Sequence, residues 1–272
     1  MYSSKPVVDF MKKTVDPRLR IFYELNGYTQ ATIDAIGAAN VSPAIDLDND
    51  NQVLYTAANG EDILSYRYIG APAYRQDPNA NTPDYYVYST DPKIIGIGAP
   101  IVSNWNTRFI QKCTNRYGNQ LPTATGNYVD VMLSYAEVCF MMSEFILKGY
   151  TSGNAEDWYL KGIESSLTTH DWIGQRQDLS MAVASTVYPY QPMSGSEISN
   201  YMATPEVMFN GSDDLEKVYI QQYLNLFKLP SEGWILSMRT GYPKFGSSLL
   251  ARSPMDIPEV VLPRRFPAPQ PG

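Results

Sequence analysis

The 272-residue sequence predicts a mainly α fold, built of helical-repeat hairpins packed with a long loop-rich region that contains short strands. Three observations carry that expectation. From residue 127 to 243, apolar side chains recur at three- and four-residue spacing in segments bounded by capping residues and glycines, as in amphipathic helices. Between about Asn26 and Thr125, Gly, Pro, Asn and Asp interrupt the chain every few residues, as in Gly70-Ala71-Pro72, Asp77-Pro78-Asn79 and Asn81-Thr82-Pro83-Asp84. The composition, 44% hydrophobic and 18% charged, excludes disorder and supplies a sizeable core, so residues 1–272 are expected to form one domain.

Val7 to Lys13 reads as a short first helix, closed by Asp16-Pro17 because the residue before a proline is pushed out of the helical region. Residues 1–126 make up the loop-rich subregion, in which Tyr85-Tyr86-Val87-Tyr88 and Ile94 to Ile97 are expected to be brief strands. Long ordered loops tend to carry binding function. Residues 127–243 hold the helical hairpins. Asn127, with Asp130 at the third helical position, caps a helix whose face holds Val129, Leu133, Ala136, Phe140 and Leu147 and which Gly149 ends. Asn154 caps the next helix, whose stripe is Tyr159, Gly162, Ile163, Ser166 and Leu167, with Gly162 allowing close approach. His170-Asp171 is expected just beyond it. The two form an antiparallel hairpin of TPR-like kind, looser than a strict 34-residue repeat. In a second hairpin, Ser212 with Asp213 and Asp214 opens a helix striped by Leu215, Val218, Tyr219, Gln222 and Leu226, and Ser231 opens a shorter one carrying Trp234, Ile235 and Met238. Residues 244–272 read as an extended tail. Solenoid-like units bury their faces against neighbours, so both stripes are expected to need a further partner.

Charge and rare residues exclude several functions. Twenty-one Lys and Arg against 28 Asp and Glu leave −7, so no basic face for nucleic acid is expected. The single histidine, His170, rules out multi-histidine metal sites, and no nucleophile elbow is present. Cys113 and Cys139 do not form a CxxC pattern; Cys139 reads as a core residue, and the redox state of the pair stays open. Asp46-Leu47-Asp48-Asn49-Asp50-Asn51 spaces its oxygens like the start of a calcium loop, but Asn51 and Ala57 replace the required glycine and glutamate, so it reads as a solvated acidic turn. No cofactor and no metal are called for. No stretch approaches the ~18 apolar residues of a spanning helix. Residues 1–26 carry neither a leader nor a lipidatable cysteine, so either targeting lies upstream or the protein stays inside the cell.

Several segments resemble one family. Tyr128 to Glu144, with Tyr135-Ala136-Glu137 at its centre, is similar to a helix of the SusD/RagB-type surface lipoproteins, and Gly153 to Ser166 to the helix that follows it. Gln221-Gln222-Tyr223, Trp234, Arg239-Thr240-Gly241-Tyr242-Pro243 and Pro263-Arg264-Arg265-Phe266-Pro267 resemble later segments in the same order, and Asp16-Pro17-Arg18-Leu19 an earlier turn. The family's members are about twice as long and begin with a lipidated cysteine and further helix pairs, so the resemblance implies a C-terminal portion whose partner is the missing N-terminal portion. It further implies non-catalytic capture of an oligosaccharide, peptide or other nutrient at the bacterial cell surface. The captured molecule would pass to a SusC-like TonB-dependent transporter, with the protein held at the outer membrane as a lipoprotein whose anchor lies outside this chain.

The residues add candidates of their own. Twenty-one tyrosines outnumber the 9 Phe and 4 Trp together, and a flat ring with a polar tip suits a ligand that is both greasy and hydroxylated, such as a sugar. Asn104, Trp105 and Arg108 bring a stacking ring and planar polar groups together in one loop. Tyr66, Tyr68, Tyr74, Arg75, Tyr85 and Tyr86 form a second aromatic group, and Tyr188-Pro189-Tyr190 a third. The alternative is a carbohydrate-active hydrolase whose acid and nucleophile lie unidentified among the 28 carboxylates, since such pairs are set by spatial separation.

Overall fold

The structure is a computed structural model that describes residues 4–27, 29, 31, 34, 52–70, 131–178, 188–227 and 229–252. Among these the fold is mainly helical, as expected. Helices α1 (Lys5–Lys13) and α2 (Leu19–Phe22) precede strands β1 (Val53–Thr56) and β2 (Asp62–Leu64) and a 3-10 turn, Ser65–Arg67. Helices α3 (Tyr135–Leu147), α4 (Ala155–Asp178), α5 (Gly195–Met202), α6 (Asp214–Asn225) and α7 (Pro230–Thr240) follow. The strands pair antiparallel, Thr56 opposite Asp62, with an irregularity between Val53 and Tyr55. The expected strands at 85–88 and 94–97, and the acidic turn at 46–51, lie outside the described residues.

The hairpin of α3 and α4 forms as its stripes require. Asn154 Oδ1 accepts the amides of Glu156 at 3.0 Å and Asp157 at 3.4 Å, and Tyr159, Ile163, Ser166 and Leu167 are all fully buried. A Cβ on Gly162 would lie 2.5 Å from the Phe140 ring, so only glycine permits this approach. Helix α3 starts later than the sequence suggests. Its cap is Ser134, whose Oγ accepts the Glu137 amide while Glu137 Oε2 accepts the Ser134 amide, each at 3.1 Å. Of the face expected for it, Leu133 is therefore outside the helix and 63% exposed, Leu147 is 37% exposed and Val129 lies outside the described residues, while Ala136 and Phe140 face inward with Cys139, Ser143 and Glu144. Gly149, at φ +74°, ends the helix as expected. The Tyr150 amide returns to the Phe145 carbonyl and the Gly149 amide to that of Ile146, and the Phe145 and Tyr150 rings meet at 6.0 Å.

Helix α4 runs past the expected end, so His170 and Asp171 sit inside it. In α6 the expected Ser212 cap is absent: Ser212 bonds the Asn210 side chain instead, and Asp214 reaches back to the amides of Asn210 and Gly211. Of its stripe, Val218, Tyr219, Gln222 and Leu226 are buried and Leu215 is half-buried. Helix α7 forms as expected, starting at Pro230; of the apolar residues expected on it, Trp234 and Met238 are half-buried and Ile235 is exposed, while Leu236 and Ser237 are buried.

Two clusters fill the core. One joins α1 and α2 to Ile63 and Tyr68 of the strand region, Ile173 of α4 and Ile220 and Leu224 of α6. The other packs Ala136 and Phe140 against Tyr159, Ile163, Leu167, Tyr201 and Val218. On the opposite side of α3, Tyr135, Val138, Met141 and Phe145 stay 38–59% exposed, continued by Met132 and Tyr150. Among the described residues no helix is long and apolar enough to cross a membrane.

Candidate functional site

Buried charge organises the centre of the molecule. The turn after α1 puts Asp16 beside Arg18, both fully buried at the side chain, with Arg18 Nη2 2.6 Å from Asp16 Oδ2. The guanidinium also donates to Ser166 Oγ of α4, Tyr201 Oη of α5 and Gln221 Oε1 of α6, at 3.1, 2.7 and 3.0 Å. Burial works against the Arg18 charge, but Asp16 and Tyr201 outweigh it and push its pKa up. A second knot forms at Glu144, whose carboxylate accepts from both Arg239 Nη atoms at 2.6 and 2.9 Å, from Lys148 at 2.8 Å and from the Tyr219 hydroxyl at 3.2 Å. Burial would raise its pKa, yet the hydrogen bonds of Arg239 and Lys148 hold it down at about 2. Both knots pin helices together and leave no reactive group free.

Aromatic and guanidinium groups meet along a seam between the strands, α2 and the segment before α5. Arg20 lies 4.9 Å over the Tyr55 ring and is bidentate to Glu197, at 2.6 and 3.2 Å. Burial opposes its charge, but the Glu197 contacts win and raise its pKa. The hydroxyls of Tyr55 and Tyr68 sit 3.4 Å apart, beside a small pocket bordered by Val15, Pro17 and Leu54. Arg67 lies 5.6 Å over Tyr188 and pairs with Glu61 at 3.0 Å, while the Tyr188 hydroxyl donates to Glu61 at 3.0 Å. The Tyr190 hydroxyl donates to Asp171 at 2.7 Å, and its ring fills the space a Cβ on Gly174 would take. Burial and Asp171 push the Tyr190 pKa up.

Of the sequence candidates, Tyr66, Tyr68, Tyr188 and Tyr190 are described; Tyr66 and Tyr68 are buried, at 6% and 1% exposure, as is Tyr190, while Tyr188 is half-buried. Tyr68 belongs to the main core. Asn104, Trp105, Arg108, Tyr74, Arg75, Tyr85 and Tyr86 lie outside the described residues. Sequence reasoning passed over Tyr55, Glu61, Arg20 and Arg67; the alternation of Tyr66 and Tyr68 with Arg67 and the Tyr188-Pro189-Tyr190 group are the local signals that point to the seam. His170 is buried, with Nδ1 2.7 Å from the Ser166 carbonyl and its ring edge-on to Phe22 at 5.2 Å, next to a narrow cleft that Ser134, Glu137 and Asn225 also line. Among the described residues no cluster of His, Cys, Asp and Glu is arranged to hold a metal ion.

The sequence profile of the SusD-like family, described as starch-binding and associating with the outer membrane, matches residues 1–269. No curated protein matches. The fold is similar to a solved SusD homologue from Bacteroides fragilis, at 19% identity and a TM-score of 0.51 over 93% of this chain and 44% of that one. A second SusD homologue from Bacteroides fragilis is 19% identical, at a TM-score of 0.48 over 92% of this chain and 42% of that one. A solved chitin-binding protein is 17% identical, at 0.48 over 92% and 41%. The chain thus spans less than half the length of the solved proteins it resembles.

Proposed function

The chain belongs to the SusD-like family, described as starch-binding and associating with the outer membrane, and from that premise we propose that it captures oligosaccharide or another nutrient at the bacterial cell surface without catalysis. The match over residues 1–269 carries the reading. In this reading the captured nutrient passes to a SusC-like TonB-dependent transporter, the protein is anchored by lipid at the outer membrane, and further polypeptide seats on the open face of α3. The chemistry agrees with a neutral ligand, because the seam holds aromatic rings beside guanidiniums already neutralised by Glu61 and Glu197.

Asn104, Trp105, Arg108, Tyr74, Arg75, Tyr85 and Tyr86 are the proposed ligand-binding residues, whereas Tyr66 and Tyr68, buried at 6% and 1% exposure, are not retained among them. A glycan and peptide array probed with the purified protein tests the reading, and binding to an oligosaccharide without release of reducing ends is expected. Release of reducing ends that a single Asp or Glu substitution abolishes would establish the hydrolase instead. Trp105→Ala is expected to weaken binding roughly 30-fold with an unchanged melt, as loss of a stacking anchor does. A large melting loss with no separate loss of affinity would make Trp105 a buried support.

A further inference from the structure

We infer that the β1–β2 turn and Tyr188 beside it form a carbohydrate subsite, in which Asn59 and Glu61 meet sugar hydroxyls and the Tyr188 ring meets the apolar face of the sugar. The inference rests on the capture reading above and adds Asn59 and Glu61, which neither the family match nor the sequence candidates supply, to Tyr188, which the sequence singles out. Glu61 stands at the end of the turn with its side chain 38% exposed, although both of its oxygens are engaged from the protein side. Arg67, 4% exposed, donates to Oε1 at 3.0 Å, and the Tyr188 hydroxyl donates to Oε2 at 3.0 Å. Each carboxylate oxygen keeps further acceptor capacity toward solvent. Asn59 is exposed, and its Oδ1 accepts the Glu61 amide at 3.0 Å, so its side chain is fixed in orientation beside the carboxylate.

Three properties fit a sugar better than an ion. The carboxylate charge is already matched by Arg67, so the surface offers oriented acceptors with little net charge. Tyr188 is half-buried under the Arg67 guanidinium, so its ring cannot swing away when a ligand arrives. Both planar groups are held by protein hydrogen bonds before any ligand binds, which removes the ordering cost that weakens carbohydrate binding at mobile side chains. Asn59 also serves the turn itself, through its bond from the Glu61 amide and an Nδ2 contact to Glu61 Oε2 at 3.5 Å, so the turn and the subsite share the same oriented side chains.

Calorimetric titration with maltoheptaose and with chitohexaose, paired with thermal melts, tests the assignment in this chain. The unmodified protein is expected to bind at least one probe. Asn59→Ala and Glu61→Gln are each expected to weaken that binding about 10-fold, the effect of one lost hydrogen bond to a fixed polar group, when affinity is read well below the melt of each variant. Glu61→Gln is also expected to lower the melt, because the buried Arg67 loses its counter-charge. Tyr188→Ala is expected to weaken it at least as much. If the unmodified protein binds neither probe, the carbohydrate subsite falls, while the broader capture reading is decided separately by the glycan and peptide array. If it binds, and Asn59→Ala and Glu61→Gln bind equally well, the subsite alone is overturned, whatever Tyr188→Ala does to the melt.

Discussion

Arg18 shows how much of this molecule depends on one side chain. Its guanidinium meets partners 148, 183 and 203 residues away, so four segments converge on a charge that has no access to water. Removing the counter-charge should therefore cost far more than the pair contributes: Asp16→Ala is expected to destabilise by about 3–5 kcal/mol in urea unfolding, because it strands a buried cation. Tyr201→Phe, which removes one acceptor, should cost about 1–3 kcal/mol. Glu144 makes a pH prediction. Its folded pKa of about 2 lies below the usual 4.5, so its contribution is fully present above pH 4.5 and is lost as pH falls toward 2. With Arg239 46% exposed and screened, that contribution is on the order of 1–3 kcal/mol. Melts from pH 6 down to 2 should show a steeper loss for the unmodified protein than for Glu144→Gln. Sequence marks Asp16-Pro17-Arg18 as a turn, but the partners that bury Arg18 are set by packing of distant helices. The same limit applies to Tyr66 and Tyr68, where composition calls for a sugar-facing ring and the tertiary structure buries both.

Helices were legible where one period dominates. In α4 every position of the expected stripe is buried, and Gly162 does what its place in that stripe implies. Boundaries were less legible because Asn127 and Ser134 both precede acidic residues at the third position; Ser134 closes a reciprocal pair with Glu137, and Asn127 lies outside the described residues. Helix α5 escaped because its eight residues bury only Tyr201, too few to show a period, although Ser194 and Glu197 form a second reciprocal cap. The close approach of α3 and α4 gives the prediction at this scale. Gly162→Ala places a methyl 2.5 Å from Phe140, and the resulting overpacking should cost about 1–3 kcal/mol. Alanine's better helix propensity offsets only about 1 kcal/mol of that. Thermal unfolding should show a net loss, and Phe140→Leu in the same background should restore part of it by making room.

Across the whole molecule, the expectation that both hairpins need a further neighbour splits. Helix α6 buries Glu216, Lys217, Val218, Tyr219, Ile220, Gln221, Gln222 and Leu224, so it turns nearly all of its surface inward. Helix α3 differs, because it is apolar on two opposite sides and only one is covered. Its outer residues, with Met132 at 93% and Tyr150 at 72% exposure, make a contiguous apolar strip larger than the scattered side chains a soluble surface normally shows. Substitutions on the two sides of the same helix should then behave oppositely. Phe140→Ala is expected to cost about 3–5 kcal/mol, since the ring sits among Tyr159, Ile163 and Val218 and its loss leaves a cavity. Met141→Gln, one residue on, should change stability by no more than about 0.5 kcal/mol, as surface substitutions do. It should also reduce any concentration-dependent association seen in sedimentation, because it breaks the strip near its middle. A cost above about 1 kcal/mol at Met141 in this chain would mean that the strip is already packed from within and that no further helix is needed to cover it.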